Sequence, residues 1–477
     1  MPSRATATTL TSPALAVMCA TIFISVTNAS MSSIALPDIA RDFDVAPDTL
    51  SWVVTAYLIP FATGTIVYGR LADMFGTRRM YLFGLMLFTV SCFATAAAPN
   101  FPLLILGRVV MAMGGTAVPA LSLATIIRTT APIDRGAANG ATIMSVGLGF
   151  ALGPILGGAL VELGGWRGPF LAIGFSSVAL LPIAYRFVPG VPGTPGQRFD
   201  VIGALATVLG VTGVVIAVNR LPTSPSDPWG IGGLLASVPL FAVLAWRVAK
   251  AREPFVNREV AVNGRFWALA VVGAAAQGSH FAVIVLIPLL LASHFDLGTV
   301  EIGLYLLPGA LAIAVLGTVG GRAFNRLGAR PLLLGGGALM LAGGLLFHLR
   351  GAGWGPAPVA AIYVVIAAGY GMLQGAMVTA ATGALPERLA GVGAGAFNLV
   401  FFLGGAVAVA LQGAILRRRD AATEAWDPLF NGTPVAYSDA LVVVVGMCLI
   451  GLLLALRFAP RKAPREVLPP GVGAARR

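Results

Sequence analysis

The feature that most constrains this chain is a succession of fourteen apolar runs, each about as long as a bilayer is thick. A bilayer core needs ~20 apolar residues per helix. Runs of that kind occupy 13–36, 50–69, 80–99, 101–126, 138–161, 168–187, 201–219, 229–248, 266–292, 301–321, 332–349, 356–384, 391–416 and 440–459. Hydrophobic residues make up 57% of the 477 positions and charged residues 10%. Soluble domains carry about 25% charged residues, so this chain has too few to cover a soluble surface of its size. An ordinary cytosolic enzyme, a secreted disulfide scaffold and a disordered protein are excluded. Strand-like alternation is missing, which argues against a membrane barrel. The run from Pro13 to Leu36 is too long for a secretory signal and lacks a small-residue cleavage site, so it reads as a retained first span. The fold class expected is an all-α polytopic membrane protein.

The charge distribution gives an orientation. The net charge is +12, from 31 Lys and Arg against 19 Asp and Glu. With the N-terminus placed in the cytoplasm, 23 basic residues fall inside, among them Arg4, Arg70, Arg78, Arg79, Arg128, Arg135, Arg198, Arg388 and the tail from Arg457 to Arg477. Seven fall outside: Arg41, Arg167, Arg220, Arg350 and Arg417 to Arg419. That bias places both termini in the cytoplasm and explains the excess charge without nucleic-acid binding. The seven tryptophans sit near span ends or in loops, as an aromatic belt requires. Cys19, Cys92 and Cys448 lie in apolar runs without metal-site spacing, and read as packed side chains.

The chain also repeats itself. Residues 69–80 read GRLADMFGTRRM and residues 321–332 read GRAFNRLGARPL, so Gly69, Arg70, Gly76 and Arg78 recur as Gly321, Arg322, Gly328 and Arg330. Each copy follows the second span of a group of six. Two six-helix halves, 1–187 and 265–477, joined by an inserted helix pair within 188–264, are therefore expected. Parallel repeats with a site at their midplane interface are a transporter layout.

Several residues carry chemistry. Asp73 stands at a helix end among Arg70, Arg78 and Arg79, where a charge latch could form, and it could face the Gly-rich start of span 13, whose dipole favours an anion. The second copy has Asn325 in place of the acid. On span 5, Gly149, Gly153 and Gly157 repeat every four residues, a smooth face for close packing, with Pro154 and Gly158 beside it. Arg108 is the one charge deep inside a span, where insertion costs at least ~2.5–3.5 kcal/mol, so a functional role is the default reading; a brace through a backbone carbonyl is the plainer one. His280 is the only mid-span histidine, with Gln277 one turn before it, and either exchanges protons or packs as a hydrogen-bonded core residue. Carboxylates stand only at span ends, nearest at Asp38, Glu162, Asp200 and Glu301.

The segments Gly69-Arg-Leu-Ala-Asp-Met-Phe-Gly-Thr-Arg-Arg79 and Gly149-Phe-Ala-Leu-Gly-Pro-Ile-Leu-Gly-Gly158 resemble the loop 2–3 signature and the antiporter motif of the major facilitator superfamily. Fourteen spans, with Ile34-Ala-Leu-Pro37 and Leu306-Leu-Pro-Gly309, are similar to its fourteen-helix drug:proton antiporter branch. The stretches Ser33–Asp42 and Trp52–Tyr57 are similar to tetracycline-efflux relatives. The resemblance covers nearly the whole chain. It implies two bundles of six, with Gly69, Asp73, Gly76, Arg78 and Arg79 as a gating latch, and Gly149, Gly153, Pro154, Gly157 and Gly158 as a leak seal. Arg108 matches the span 4 arginine of that family; the Gln usual three residues on is Met111 here. Acids that the branch carries are replaced by Asn28 in span 1 and Gly405 in span 13, whereas Asp200 matches an acid at the start of span 7. By the same analogy, spans 1, 4, 9 and 12 line the cavity. They bring Asn28, Arg108, Met111, Gln277, His280, Tyr370 and Gln374 together, with Tyr57 and Asn398 alongside.

The function expected is export of small amphiphilic drugs or antibiotics by proton antiport, with Arg108, His280, Asp38 and Asp200 as proton-coupling candidates. A mostly neutral, net positive cavity suits a neutral, anionic or metal-chelated amphiphile better than a quaternary cation. The alternatives are an uncoupled facilitator, an exporter of an endogenous metabolite, and a non-transporting membrane sensor. The partners expected are the solute, protons and the lipid bilayer of the cell membrane, with the chain acting as a monomer. No cofactor, resident metal or nucleic acid is expected, and no motif for an enzyme or an ATPase occurs.

Overall fold

Alternating caps and apolar runs dictate where the chain turns. The computed structural model describes residues 11–45, 52–130, 132–193, 199–221, 224–349, 354–386, 389–419, 424–426 and 435–460. Arg4, Arg198, Arg350, Arg388 and the tail from Arg461 onward, all counted in the charge bias, lie outside the described residues, as do the side chains of Arg135, Pro154 and Asn325.

Every described element is helical, with no strand among the described residues. Span 1 is Ser12–Ile34, span 2 Trp52–Phe75 and span 3 Thr77–Ala96. Span 4 is Phe101–Gly115, continued past Thr116 as Ala117–Thr129. Span 5 is Pro132–Gly164, span 6 Arg167–Phe187, span 7 Val201–Arg220 and span 8 Pro228–Lys250. Spans 9 to 13 are Gly264–Phe295, Thr299–Leu327, Ala329–Leu349, Pro356–Thr382 and Ala390–Arg418. Span 14 is Val442–Phe458, preceded by the short helix Val435–Ala440. Among the described residues, thirteen helices are long and apolar enough to cross a membrane, counting the last two pieces together. Span 5, the fourteenth, runs 33 residues, more than the ~30 Å of a bilayer core needs at 1.5 Å per residue. The first span is shorter than the apolar run. Pro37 lacks the N–H that would bond the Ser33 carbonyl, and Leu36–Phe43 forms a separate short amphipathic helix.

The caps follow ordinary rules. Asn100, Asp200, Asp227 and Asn263 each accept a backbone N–H three residues on, at 2.8–3.0 Å, and so start spans 4, 7, 8 and 9. The repeated glycines Gly76 and Gly328 have φ of 91° and 77°. Only a residue without Cβ adopts that conformation freely, and both copies use it to turn tightly into the next span.

Packing repeats with the sequence. In the first six spans the main partners are 1 with 5, 1 with 6, 2 with 4, 3 with 4 and 3 with 6. In the last six they are 9 with 13, 9 with 14, 10 with 12, 11 with 12 and 11 with 14, the same five pairs shifted by eight, to which the second bundle adds 9 with 12. Two seams join the bundles, span 2 with span 13 and span 5 with span 10. A two-fold operation that swaps the bundles exchanges these seams. The fold is two six-helix bundles plus an inserted pair. In the pair, spans 7 and 8 pack on each other, and span 7 covers the first seam through Val211 and Val215 against Ile59 and Leu399.

Close approach within each bundle depends on small residues. A Cβ on Gly153 would fall on Ser30, and one on Gly157 would lie 3.2 Å from the Met31 Cα, so the glycine stripe of span 5 seats span 1. In the second bundle Gly278 of span 9 and Gly404 of span 13 meet in the same way, a Cβ on Gly278 lying 2.8 Å from the Gly404 carbonyl oxygen. With lipid outside, such contact supplies the dispersion energy that a soluble core draws from excluded water.

Candidate functional site

Three polar groupings stand out inside this frame. The first is built on Arg108, which span 4 buries to 1% exposure. Its Nε donates to the Val53 carbonyl of span 2 at 3.0 Å. Its guanidinium lies 4.4 Å from the Tyr57 ring centroid and 5.7 Å from that of Phe170. Nη1 points at the Met111 sulfur, 3.7 Å away, and the Asn28 amide reaches the same sulfur at 3.2 Å. No carboxylate pairs with Arg108 among the described residues. A charged hydrogen bond is worth ~1.5–3 kcal/mol and a desolvated cation–π contact ~2 kcal/mol. Together they offset an insertion cost of ~2.5–3.5 kcal/mol without an acid. Asn28, Tyr57, Arg108 and Met111, expected together, are together. The carbonyl brace runs to span 2, so Arg108 ties two helices of one bundle. From Tyr57 a row of rings continues: Phe61 stacks at 5.6 Å, and Phe402 of span 13 meets Phe61 edge-on at 5.3 Å, across the seam.

The second grouping belongs to the other bundle. Span 9 presents Gln277 and His280, and span 12 presents Tyr363, Tyr370 and Gln374, all on facing sides. The Tyr370 hydroxyl donates to the Gln277 carbonyl oxygen and accepts from the Gln374 amide at 3.2 Å. His280 is 3% exposed and lies flat on Tyr370, with centroids 4.1 Å apart and planes at 15°. Among the described residues, neither His280 ring nitrogen nor the Gln374 carbonyl oxygen has a hydrogen-bond partner. Each such buried atom costs about 1–3 kcal/mol. Three in one cluster are an expense that packing alone does not explain. The four residues expected here are thus adjacent, and the packing reading of His280 as a hydrogen-bonded core residue does not match its surroundings.

The third grouping lies at the end carrying the first repeated loop. Asp73 pairs with Arg128, from the end of span 4, at 2.5 Å. A narrow cleft there is lined by Thr65, Gly69, Asp73 and Arg128 on one side and by Gly395 and Asn398 of span 13 on the other. Asn398, two turns into span 13, thus lines the same cleft as Asp73. The arginines next to Asp73 in sequence point elsewhere. Arg70 reaches Glu253 at 3.4 Å, and Arg79 is exposed. Arg78 donates to the Tyr185 carbonyl at the end of span 6 and lies over the Tyr185 ring. Its repeat, Arg330, donates to the Leu456 carbonyl at the end of span 14, at 3.1 Å. The repeated arginine satisfies the free carbonyls of the last span in each bundle.

The two remaining acids are tied locally. Asp38 pairs with Arg41 one turn away. Asp200 is 5% exposed and accepts from the Gly203 and Phe255 amides and from Arg247. Burial works to raise its pKa, but these donors outweigh it and hold the carboxyl below its usual value. It fastens the inserted pair to the following loop. Sequence reasoning missed Arg128, Val53 and Phe402 as partners. Each comes from a different span, and nothing in the local pattern marks them.

Known proteins share this arrangement. The Major Facilitator Superfamily profile matches residues 18–409. This chain belongs to that superfamily. It is 26% identical over 462 residues to the uncharacterized MFS-type transporter YcnB of Bacillus subtilis, covering 95% of this chain and 96% of that one. It is 29% identical over 407 residues to the multidrug resistance protein Stp of Mycobacterium tuberculosis, covering 83% and 74%. The crystal structure of the human organic anion transporter MFSD10 (TETRAN) superposes with a TM-score of 0.66, covering 94% of this chain and 99% of that one at 14% identity, a likeness of fold alone. As a superfamily member with this many apolar helices, the chain is a multi-pass membrane transporter.

Proposed function

We propose that this transporter exports small amphiphilic compounds from the cell by proton antiport, with both termini in the cytoplasm. The observation that carries the reading is the pair of seams exchanged by the two-fold relation, with Asp73, Arg128 and span 13 lining a cleft at one end of the first. Two bundles that meet along such seams can rock about a central site. Opening one end then closes the other, which is alternating access. Arg108 supplies a fixed positive charge in one bundle. His280, the titratable group in the middle of the other, is assigned the proton. Asp38 and Asp200 are left out of that role because each is engaged in a local ion pair at a span end. The 29% identity to a multidrug resistance protein supports export of foreign amphiphiles. The assay is uphill efflux from proteoliposomes under an imposed pH gradient, across a compound panel. Efflux that stops when an uncoupler collapses the gradient supports antiport. Efflux unaffected by the uncoupler contradicts it and leaves a facilitator.

A further inference from the structure

The two interior groupings differ in what they leave open. Around Arg108 the polar atoms are engaged: the guanidinium by Val53 and two aromatic rings, the Asn28 amide by Met111. In the second bundle the phenol of Tyr370 is also engaged, as donor to Gln277 and acceptor from Gln374. What is buried without a hydrogen-bond partner among the described residues is the pair of His280 ring nitrogens and the carbonyl oxygen of Gln374. A neutral imidazole offers one donor and one acceptor, and the amide oxygen one further acceptor. The surroundings are aromatic. Tyr370 is stacked under the imidazole, and Tyr363 lies 6.4 Å from it. No charged side chain pairs with any of these groups among the described residues.

We infer that His280 and Gln374 form the recognition site for the solute, and that the part of the solute bound there is uncharged, flat and aromatic, with at least one hydrogen-bond donor and one acceptor on its edge. This rests on the exporter reading only for why a solute enters the interior. The donor meets the Gln374 oxygen or the bare imidazole nitrogen, and the acceptor takes the imidazole N–H. The flat ring extends the aromatic stack begun by Tyr370. A permanent cation has no counter-charge here, and a hydrocarbon leaves the open atoms unpaired. A site built to hydrogen-bond discriminates strongly against analogues lacking the groups. The selecting chemistry is therefore confined to spans 9 and 12, and Arg108 acts within its own bundle.

The test is equilibrium binding to the full chain in lipid nanodiscs, without any proton gradient, using three two-ring probes: hydroxyquinoline, N-methylquinolinium and naphthalene. Hydroxyquinoline is expected to bind at least about ten-fold more tightly than the other two. His280→Phe keeps the stack on Tyr370 and removes both nitrogens. It is expected to weaken hydroxyquinoline by about ten-fold and to leave naphthalene unchanged. Gln374→Leu is the second variant, expected to act in the same direction, so a folding failure of one leaves the other decisive. Equal binding of N-methylquinolinium, no binding of hydroxyquinoline, or wild-type affinity in both variants would overturn the inference. Selective binding without gradient-driven efflux would uphold it while removing the antiport reading.

Discussion

Gly153→Ala should be among the most damaging single-methyl additions in the first bundle. The added Cβ would fall on the Ser30 hydroxyl and lie 2.8 Å from the Ser30 Cβ and 3.3 Å from the Thr27 carbonyl oxygen. The hydroxyl can rotate away, but it then loses its bonds to the Gly149 carbonyl at 3.1 Å and the Thr27 carbonyl at 3.0 Å. That loss is about 1 kcal/mol. The Cβ–Cβ overlap cannot be relieved by rotation and forces spans 1 and 5 apart, an overpacking cost of about 1–3 kcal/mol. The total expected is ~2–4 kcal/mol. Ser30→Gly alone should cost ~1 kcal/mol for the lost bonds and leave room for a methyl opposite. The double variant should then be about as stable as Ser30→Gly, an interaction energy of roughly −2 to −4 kcal/mol in a double-mutant cycle. Denaturation of the purified protein in mixed micelles measures each term. Strict additivity, with the double variant as damaged as the sum, would refute the close contact of spans 1 and 5 at this point.

Other outcomes are specific enough to check. Arg108→Lys keeps the charge but cannot reach the Val53 carbonyl and cover the Tyr57 ring together, so efflux should fall at least about ten-fold while the protein stays folded; unchanged efflux would contradict a role for the planar group. Asp73→Asn removes a partly exposed pair between spans 2 and 4 of one bundle, worth ~1 kcal/mol, and thermal unfolding should show a loss of about that size. A Cβ at Gly395 would stand 3.7 Å from that of Ile66, within the spacing of disulfide-linked residues. Oxidation of the Ile66→Cys, Gly395→Cys pair should therefore be rapid, and a pair that stays reduced would contradict the close approach of spans 2 and 13. Trp166, at 2.7 Å, and Arg167, at 2.9 Å, hold the Asp42 carboxyl below its usual value. A carboxylate lowered on folding adds stability above its unfolded pKa of ~3.9 and loses it as the pH falls through the lower folded value. Thermal stability should thus be insensitive to this pair from neutral pH to about 5 and weaken only in stronger acid. Asp42→Asn should make the acid limb shallower, and an identical limb would contradict the assignment.

How much of this was legible in the sequence differs by level. The apolar runs locate all fourteen spans because lipid tolerates only helices whose backbone groups are internally satisfied. The repeat at 69–80 and 321–332 foretells the two-fold packing, and its glycines foretell the two left-handed turns. The repeated arginines were legible as a motif but not as caps, since the carbonyls of Tyr185 and Leu456 lie about a hundred residues or more downstream. Asp73 shows why charge near charge misleads. Three arginines within six residues point away from it, and the one that pairs lies 55 residues on. Asn28, Tyr57, Arg108 and Met111 could be grouped through resemblance alone. That Arg108 is tied off while His280 is open depends on side-chain geometry, which no spacing rule encodes. The break of span 4 at Thr116 is announced by Pro119, which lacks the N–H that would bond the Gly115 carbonyl. There Thr116 also donates to the Phe61 carbonyl of span 2, a tertiary contact that no local pattern marks.

The central claim is that two bundles rock against each other so that their ends open in turn. Phe75 and Leu327 are equivalent exposed residues, at the ends of spans 2 and 10 where the two repeated loops begin. Leu163 and Trp354 are exposed at the opposite end, one in each half. Spin labels on each pair, in a chain with Cys19, Cys92 and Cys448 replaced by Ala, report the two separations by electron resonance in nanodiscs. Between neutral and acidic buffer, the account predicts that one separation grows while the other shrinks. Fixed separations, or both changing in the same direction, would contradict it.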